Sequence, residues 1–185
     1  MNNTTRATIS AAMLAGMVGL WPAQAQAATY WMAYPFFNDS IPVYDRTGRT
    51  ATMTAVNRWE HTGDGYNLWR TYSASTAASS GVTIQWSSER AGTSIGGWAY
   101  QYYSSSGHTT RHCVIKINSY IKGIGRPSGH AFEAIVAHEF GHCLGLKHDY
   151  NSRTNIMRSG FNYYTPYYRP TTTDEARARA GMATN

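Results

Sequence analysis

The residues best suited to chemistry lie within twelve positions, 138 to 149, which read His-Glu-Phe-Gly-His-Cys-Leu-Gly-Leu-Lys-His-Asp. His138 and His142 stand four apart, so on a helix their rings share one face and can bind a single zinc ion. Glu139 lies about 100° further round that helix, where its carboxylate reaches a water at the metal without being a ligand. Gly145, three residues past His142, is the residue type that closes a helix with a left-handed turn. Such a turn swings the chain back and lets His148 bring a third imidazole. Three protein ligands leave a fourth position for water, the pattern of a catalytic zinc rather than a structural one. The chemistry expected is hydrolysis by an activated water, with Glu139 taking the proton.

These groups need a scaffold, and most of it can be read from pattern. The strongest helix runs from Ala131 to Leu144, after a break at Gly123 to Gly129 that contains Pro127. Short strands fit Ile41 to Tyr44, Leu68 to Tyr72, Val82 to Trp86 and Cys113 to Ile117. Gly97 to Tyr102 is aromatic and follows glycines, which places it at a sheet edge. A first helix spans Thr50 to His61, with Met53, Val56 and Trp59 at helical spacing, and stops at Gly63-Asp64-Gly65. Ser73 to Ser80 is small and polar and reads as a loop, as does Ser104 to Thr110. Thr172 and Glu175 have capping-box spacing for a last helix over Asp174 to Ala180.

The first 28 residues predict export. Arg6 lies in a polar opening stretch, Ala11 to Leu20 carries no charge, and small residues at alternate positions end A-x-A sites at Ala25 and Ala27. Residues 1–27 are therefore expected to be a secretory signal peptide and 28–185 the working domain. The protein is expected to be extracellular. In an oxidising compartment the two cysteines, Cys113 and Cys143, are expected to form a disulfide. Cys143 points about 100° away from His142 on the helix, so it does not join the histidines on the metal.

The chain of 185 residues has a net charge of +6, yet no five-residue window holds more than two of Lys and Arg. That scatter argues against a nucleic-acid partner. No 18-residue apolar run exists, so no membrane partner is expected after signal removal. Acidic residues are too sparse for a recognisable calcium loop, although backbone carbonyls could build one, so calcium stays open. His108 and His112, beside Cys113, have no acidic neighbour and read as loop histidines rather than a second metal site. His61 and His130 are isolated.

Together the motif residues resemble the metzincin zinc endopeptidases, whose signature H-E-x-x-H-x-x-G-x-x-H is matched by His138, Glu139, His142, Gly145 and His148. Asn155-Ile156-Met157 resembles the Met-turn of that group, a tight turn with its methionine beneath the zinc. Gly97, Trp98, Ala99 and Tyr100 resemble the edge strand that pairs with substrate. Asp149 resembles the adamalysin residue that ties its loop to the Met-turn, and its carboxylate is expected to accept backbone hydrogen bonds near Met157. Tyr163, Tyr164, Tyr167 and Tyr168 follow the Met-turn, where the group builds a substrate pocket wall. In character the chain is closest to small bacterial matrixin-like and snapalysin-like enzymes.

The resemblance implies an α+β catalytic domain. It has a twisted mixed sheet of about five strands, an edge strand over the cleft, a zinc-bearing helix, a first helix packed on the sheet and a C-terminal helix. It implies one catalytic zinc, a protein or peptide substrate and a monomer. Two departures stand out. Ser159 occupies the place where astacins and serralysins put a tyrosine ligand, and the stretch before Ile41 leaves no room for a propeptide after the signal. Competing readings are a secreted non-catalytic zinc-binding or adhesion module, and a metal-dependent hydrolase of cell-wall material. Glu139 favours the enzyme over the first, and the edge strand favours a peptide substrate over the second.

Overall fold

The computed structural model describes residues 36, 39–60, 66–103, 109–123, 125–152, 154–158 and 168–182. Residues 1–28, His61, the glycines at 63 and 65, His108, Ser159, Tyr163, Tyr164 and Tyr167 lie outside them.

Five strands form one sheet: β1 (Ser40–Asp45), β2 (Asn67–Arg70), β3 (Val82–Ser87), β4 (Gly97–Tyr103) and β5 (Thr110–Asn118). Their order is β2-β1-β3-β5-β4. The first four of these are mutually parallel, and β4 runs antiparallel to β5 with Gly97 opposite Ile117 and Tyr102 opposite His112. The mixed α+β sheet of the sequence reading is therefore present, with Gly97 to Tyr103 at its edge. The register of β4 on β5 shifts between Tyr102 and Tyr103.

Parallel neighbours need crossover connections, and two short helices supply those among β1, β2 and β3. The first, α1 (Thr50–Asn57), links β1 to β2. It ends four residues before the expected His61 because Trp59 leaves the helix in a turn, its backbone N–H donating to the Val56 carbonyl at 3.0 Å. The second, α2 (Ala74–Ser80), replaces the loop expected over Ser73 to Ser80. Ser73 starts it: its side-chain oxygen accepts from the Thr76 N–H at 3.2 Å, satisfying a donor that a helix start leaves open.

The zinc-motif helix α3 (Gly129–Cys143) lies on the sheet beside β4 and β5 and packs against α1. It starts two residues earlier than Ala131. Its buried face carries Phe132, Ile135, Val136 and Phe140 into one core with Ile41, Val43, Ile84, Ile115 and Ile117. The odd-numbered apolar residues of β5 point into this core because side chains alternate along a strand. A disulfide joins Cys113 of β5 to Cys143 at the end of α3, as expected.

The C-terminal helix α4 (Thr172–Met182) begins and ends two residues outside the expected span. Its capping box sits one residue earlier than Thr172 and Glu175. Thr171 Oγ1 accepts from the Asp174 N–H at 3.3 Å, while Asp174 Oδ2 accepts from the Thr171 N–H at 2.8 Å.

Candidate metal centre

Helix α3 delivers two histidines and its own ending delivers the third. His138 and His142 lie one turn apart and are both buried. The helix closes with a Schellman arrangement: Gly145 N–H donates to the His142 carbonyl at 2.9 Å and Leu146 N–H to the Gly141 carbonyl at 3.0 Å. Gly145 has φ of 96°, a left-handed conformation that a side chain would resist. The chain then doubles back and brings His148 over the other two rings. His148 Nε2 lies 3.1 Å from His138 Nε2 and 3.1 Å from His142 Nε2.

The far side of each helical ring is pinned. His138 Nδ1–H donates to the Ile156 carbonyl at 2.6 Å, and His142 Nδ1–H donates to the Leu146 carbonyl at 2.7 Å. Because a carbonyl only accepts, each Nδ1 carries the proton, and each Nε2 presents a lone pair towards the centre. His148 can give a hydrogen bond to only one of the two, so lone pairs face one another unless a cation lies between them. A tetrahedral zinc with bonds of ~2.0–2.1 Å sets neighbouring nitrogens about 3.3 Å apart, close to the two separations seen. The donor set fits zinc. Burial holds all three histidines below the ordinary imidazole range, His142 down to about 4, so they stay neutral and able to ligate.

Glu139 is the next residue along the helix after His138 and is 7% exposed. Burial pushes its carboxyl up to about 8, and the Arg90 guanidinium pulls the other way. Arg90, which nothing in the local sequence singles out, lies over the Trp98 ring at 4.8 Å. The edge strand touches the carboxylate stem. A Cβ built on Gly97 would stand 3.0 Å from Glu139 Cγ and 2.8 Å from Ile135 Cγ2, so only glycine lets β4 pass this close. Along β4, Trp98 is buried, Gly97 and Ala99 are half-buried and Tyr100 is exposed. The structure thus brings the three histidines together and packs the edge strand against Glu139, the residue next to His138.

Met157 is 1% exposed. It is seated on Gly141: a Cβ there would overlap Met157 Sδ and come within 3.0 Å of the Trp59 ring. Trp59 is held in turn, its Nε1–H donating to the Ala137 carbonyl at 3.1 Å. Outside the zinc-motif positions, Gly141 is marked in the sequence only as a glycine inside a strong helix pattern, itself a signal of close packing.

Asp149 does connect to the Met157 loop, but the contact differs from the one expected. Its backbone N–H donates to the Met157 carbonyl at 2.7 Å. Its carboxylate instead accepts from the N–H groups of Asn151 and Ser152, from Asn155 Nδ2 and from Arg177 Nη1. The short side chain takes its backbone bonds from its own loop and meets the turn only through the Asn155 side chain. Burial alone would raise this carboxyl. The bonds from Arg177, Asn151 and Asn155 more than reverse that and hold it below the usual range. His112 is stacked on Tyr102 at 4.9 Å, with burial lowering its pKa. Tyr168 stacks on His130 at 4.1 Å and receives Arg58 on its ring.

A sequence model of the family described as Matrixin matches residues 26–178. Among curated proteins none matches. Among solved structures the chain is similar to archaemetzincin from Archaeoglobus fulgidus, at 12% identity and a TM-score of 0.40, over 75% of this chain and 99% of that one. It is also similar to myroilysin, at 16% identity and a TM-score of 0.34, over 77% of this chain and 73% of the other.

Proposed function

Because the chain belongs to the matrixin family and is therefore a zinc metallopeptidase acting on peptide or protein substrates, we propose that it is a secreted, monomeric endopeptidase with Glu139 as its general base. One zinc is held by His138, His142 and His148. The observation that carries this is the convergence of three Nε2 atoms, two of them with their protons committed to carbonyls on the far side, on a helix whose residue after His138 is the buried Glu139.

When bound, zinc supplies the positive charge that lowers the pKa of water towards ~7 and polarises a carbonyl. The three imidazoles stay neutral and leave that charge undiminished. Glu139 hydrogen-bonds the attacking water, takes its proton and passes it to the departing amine nitrogen. It must be ionised to do so, and positive charge from Arg90, joined by that of a bound zinc, would favour that form against burial. The outer backbone edge of β4 pairs with the substrate as an added strand, and Gly97 keeps that strand within reach of Glu139. Gly145 sets the turn, Met157 forms the floor, and Asp149 fixes the loop behind His148.

Support for secretion comes from the signal-like pattern of residues 1–27 and from the Cys113–Cys143 bridge, since such bonds persist in oxidising compartments. No helix among the described residues is long and apolar enough to cross a membrane.

Glu139→Gln tests the proposal, because it keeps shape and reach but cannot accept the proton. Turnover on casein should fall roughly 10²–10⁴-fold with zinc content intact. Wild-type turnover in that variant sinks the base assignment. Wild-type protein that is inert on casein but digests cell walls, or is inert on both, points to the hydrolase or the non-catalytic module instead.

A further inference from the structure

Helix α4 is attached in an unusual way. Of its described apolar residues only Ala178 is buried, while Asp174 beside it is 0% exposed. Burying a carboxylate is unfavourable, and Asp174 Oδ1 has no hydrogen-bond partner among the described residues. An apolar side chain would fix the helix to the core at less expense. Capping accounts for the bonds of Asp174 to Thr171 at the helix start, but not for its reach beyond the helix.

What Asp174 and Arg177 hold is the loop behind the metal site. Asp174 Oδ2 accepts from the Ile156 N–H at 3.1 Å, and the carbonyl of that same residue accepts from His138 Nδ1–H at 2.6 Å. Arg177 Nη1 donates to Asp149 Oδ2 at 2.6 Å, and Asp149 directly follows His148. Asn155 Nδ2 donates to the same oxygen at 2.8 Å, and the Asp149 N–H donates to the Met157 carbonyl at 2.7 Å. Asp174 and Arg177 are three residues apart, hence on one face of the helix. One face of α4 thus grips the loop twice, at the residue that orients His138 and at the residue next to His148.

We propose that Asp174 and Arg177 are positioning residues, which set the orientation of His138 and His148 through Ile156 and Asp149. This rests on the proposed reading of those histidines as zinc ligands. Partners that orient metal ligands from behind commonly change metal affinity 10–100-fold when removed.

The test compares Asp174→Ala with Asp174→Asn, and Arg177→Met with Arg177→Lys, in the full chain. Zinc affinity is measured by competition with a chelator, and site geometry by the visible absorption of the cobalt(II)-substituted protein. Asp174→Ala and Arg177→Met should weaken zinc by about 10–100-fold and shift the cobalt bands. Asp174→Asn keeps an acceptor for Ile156 and Arg177→Lys keeps a donor for Asp149, so each should recover most of the loss. A lower melting temperature with affinity and cobalt spectrum unchanged would make α4 merely structural and overturn the proposal. Should Asp174→Ala fail to fold, the Arg177 pair decides alone. His138→Ala separates the two levels: undiminished zinc in that variant brings down the ligand reading itself, whereas zinc lost there with the Arg177→Met spectrum unmoved brings down only the positioning role.

Discussion

Replacing Gly141 by alanine sets two effects against each other. In a helix interior alanine is favoured over glycine by about 1 kcal/mol, so propensity alone predicts a more stable protein. Packing predicts the opposite. The new Cβ would lie 3.0 Å and 3.1 Å from Trp59 ring carbons and closer still to Met157 Sδ, where unstrained carbon contacts sit at about 3.5–4.0 Å. Neither neighbour can withdraw easily, since Trp59 is 2% and Met157 1% exposed and the indole is tied to Ala137. Overpacking of this kind costs about 1–3 kcal/mol, and contact on two sides places it near the upper end. The net expectation is destabilisation by about 2 kcal/mol, or ~4–8 °C in melting temperature for a domain of this size. Because the Met157 carbonyl receives the Asp149 N–H, zinc affinity should fall as well. Calorimetry with and without zinc measures both. A Gly141→Ala protein that melts at or above the wild-type temperature would show that Met157 is not a rigid seat, and the packing argument would fail.

Gly97→Ala should leave zinc content unchanged while kcat/KM falls by about 10–100-fold, because the added methyl displaces Glu139 or the edge strand and small misplacements carry effects of that size. Unaltered kinetics would mean that Gly97 is not setting the approach. Burial raises the Asp174 carboxyl above its ordinary range, so its ionised form destabilises the fold at neutral pH. That penalty disappears as pH falls through the folded-state pKa towards the unfolded value of about 4. The stability advantage of Asp174→Asn over wild type, read from urea unfolding, should therefore shrink between pH 7 and pH 4, and an advantage that stays constant or grows contradicts the assignment. Reducing the Cys113–Cys143 bridge should lower unfolding stability by about 3.6 kcal/mol on the chain-entropy model, and coincident urea curves with and without reductant would refute it.

The histidine cluster was legible because its geometry is local: one helical turn sets His138 over His142, and one left-handed residue, Gly145, sets His148. The same is true of the sheet edge, where glycines and alternating aromatics announce β4. Contacts between distant parts of the chain leave no such trace. Arg177 reaches Asp149 across 28 residues and Asp174 reaches Ile156 across 18, and no periodicity links them. Ser73 to Ser80 failed for a different reason. Its serines and alanines suit a loop or a short helix equally, and the parallel pairing of strands, visible only in the fold, decides the matter. At the last helix both Thr171–Asp174 and Thr172–Glu175 satisfy the capping spacing. Only the buried place of Asp174 against Ile156 selects the first.

The shift in register between Tyr102 and Tyr103 bears on how the protein tolerates its own edge strand. A strand left open to receive a peptide is equally open to the same strand of another copy, and unpaired edges of this kind promote aggregation. Here the regular part of β4 is bounded by Gly97 at one end and by the shift at the other, and irregularities of that sort twist an edge away from flat pairing. Two such edges meeting in solution would share only a few backbone hydrogen bonds and little else. A substrate engages the same few bonds but, on the proposed mechanism, also reaches the three-histidine site, so it has a second point of attachment that another copy lacks. On the proposed mechanism the register shift thereby favours the transient guest over permanent self-association.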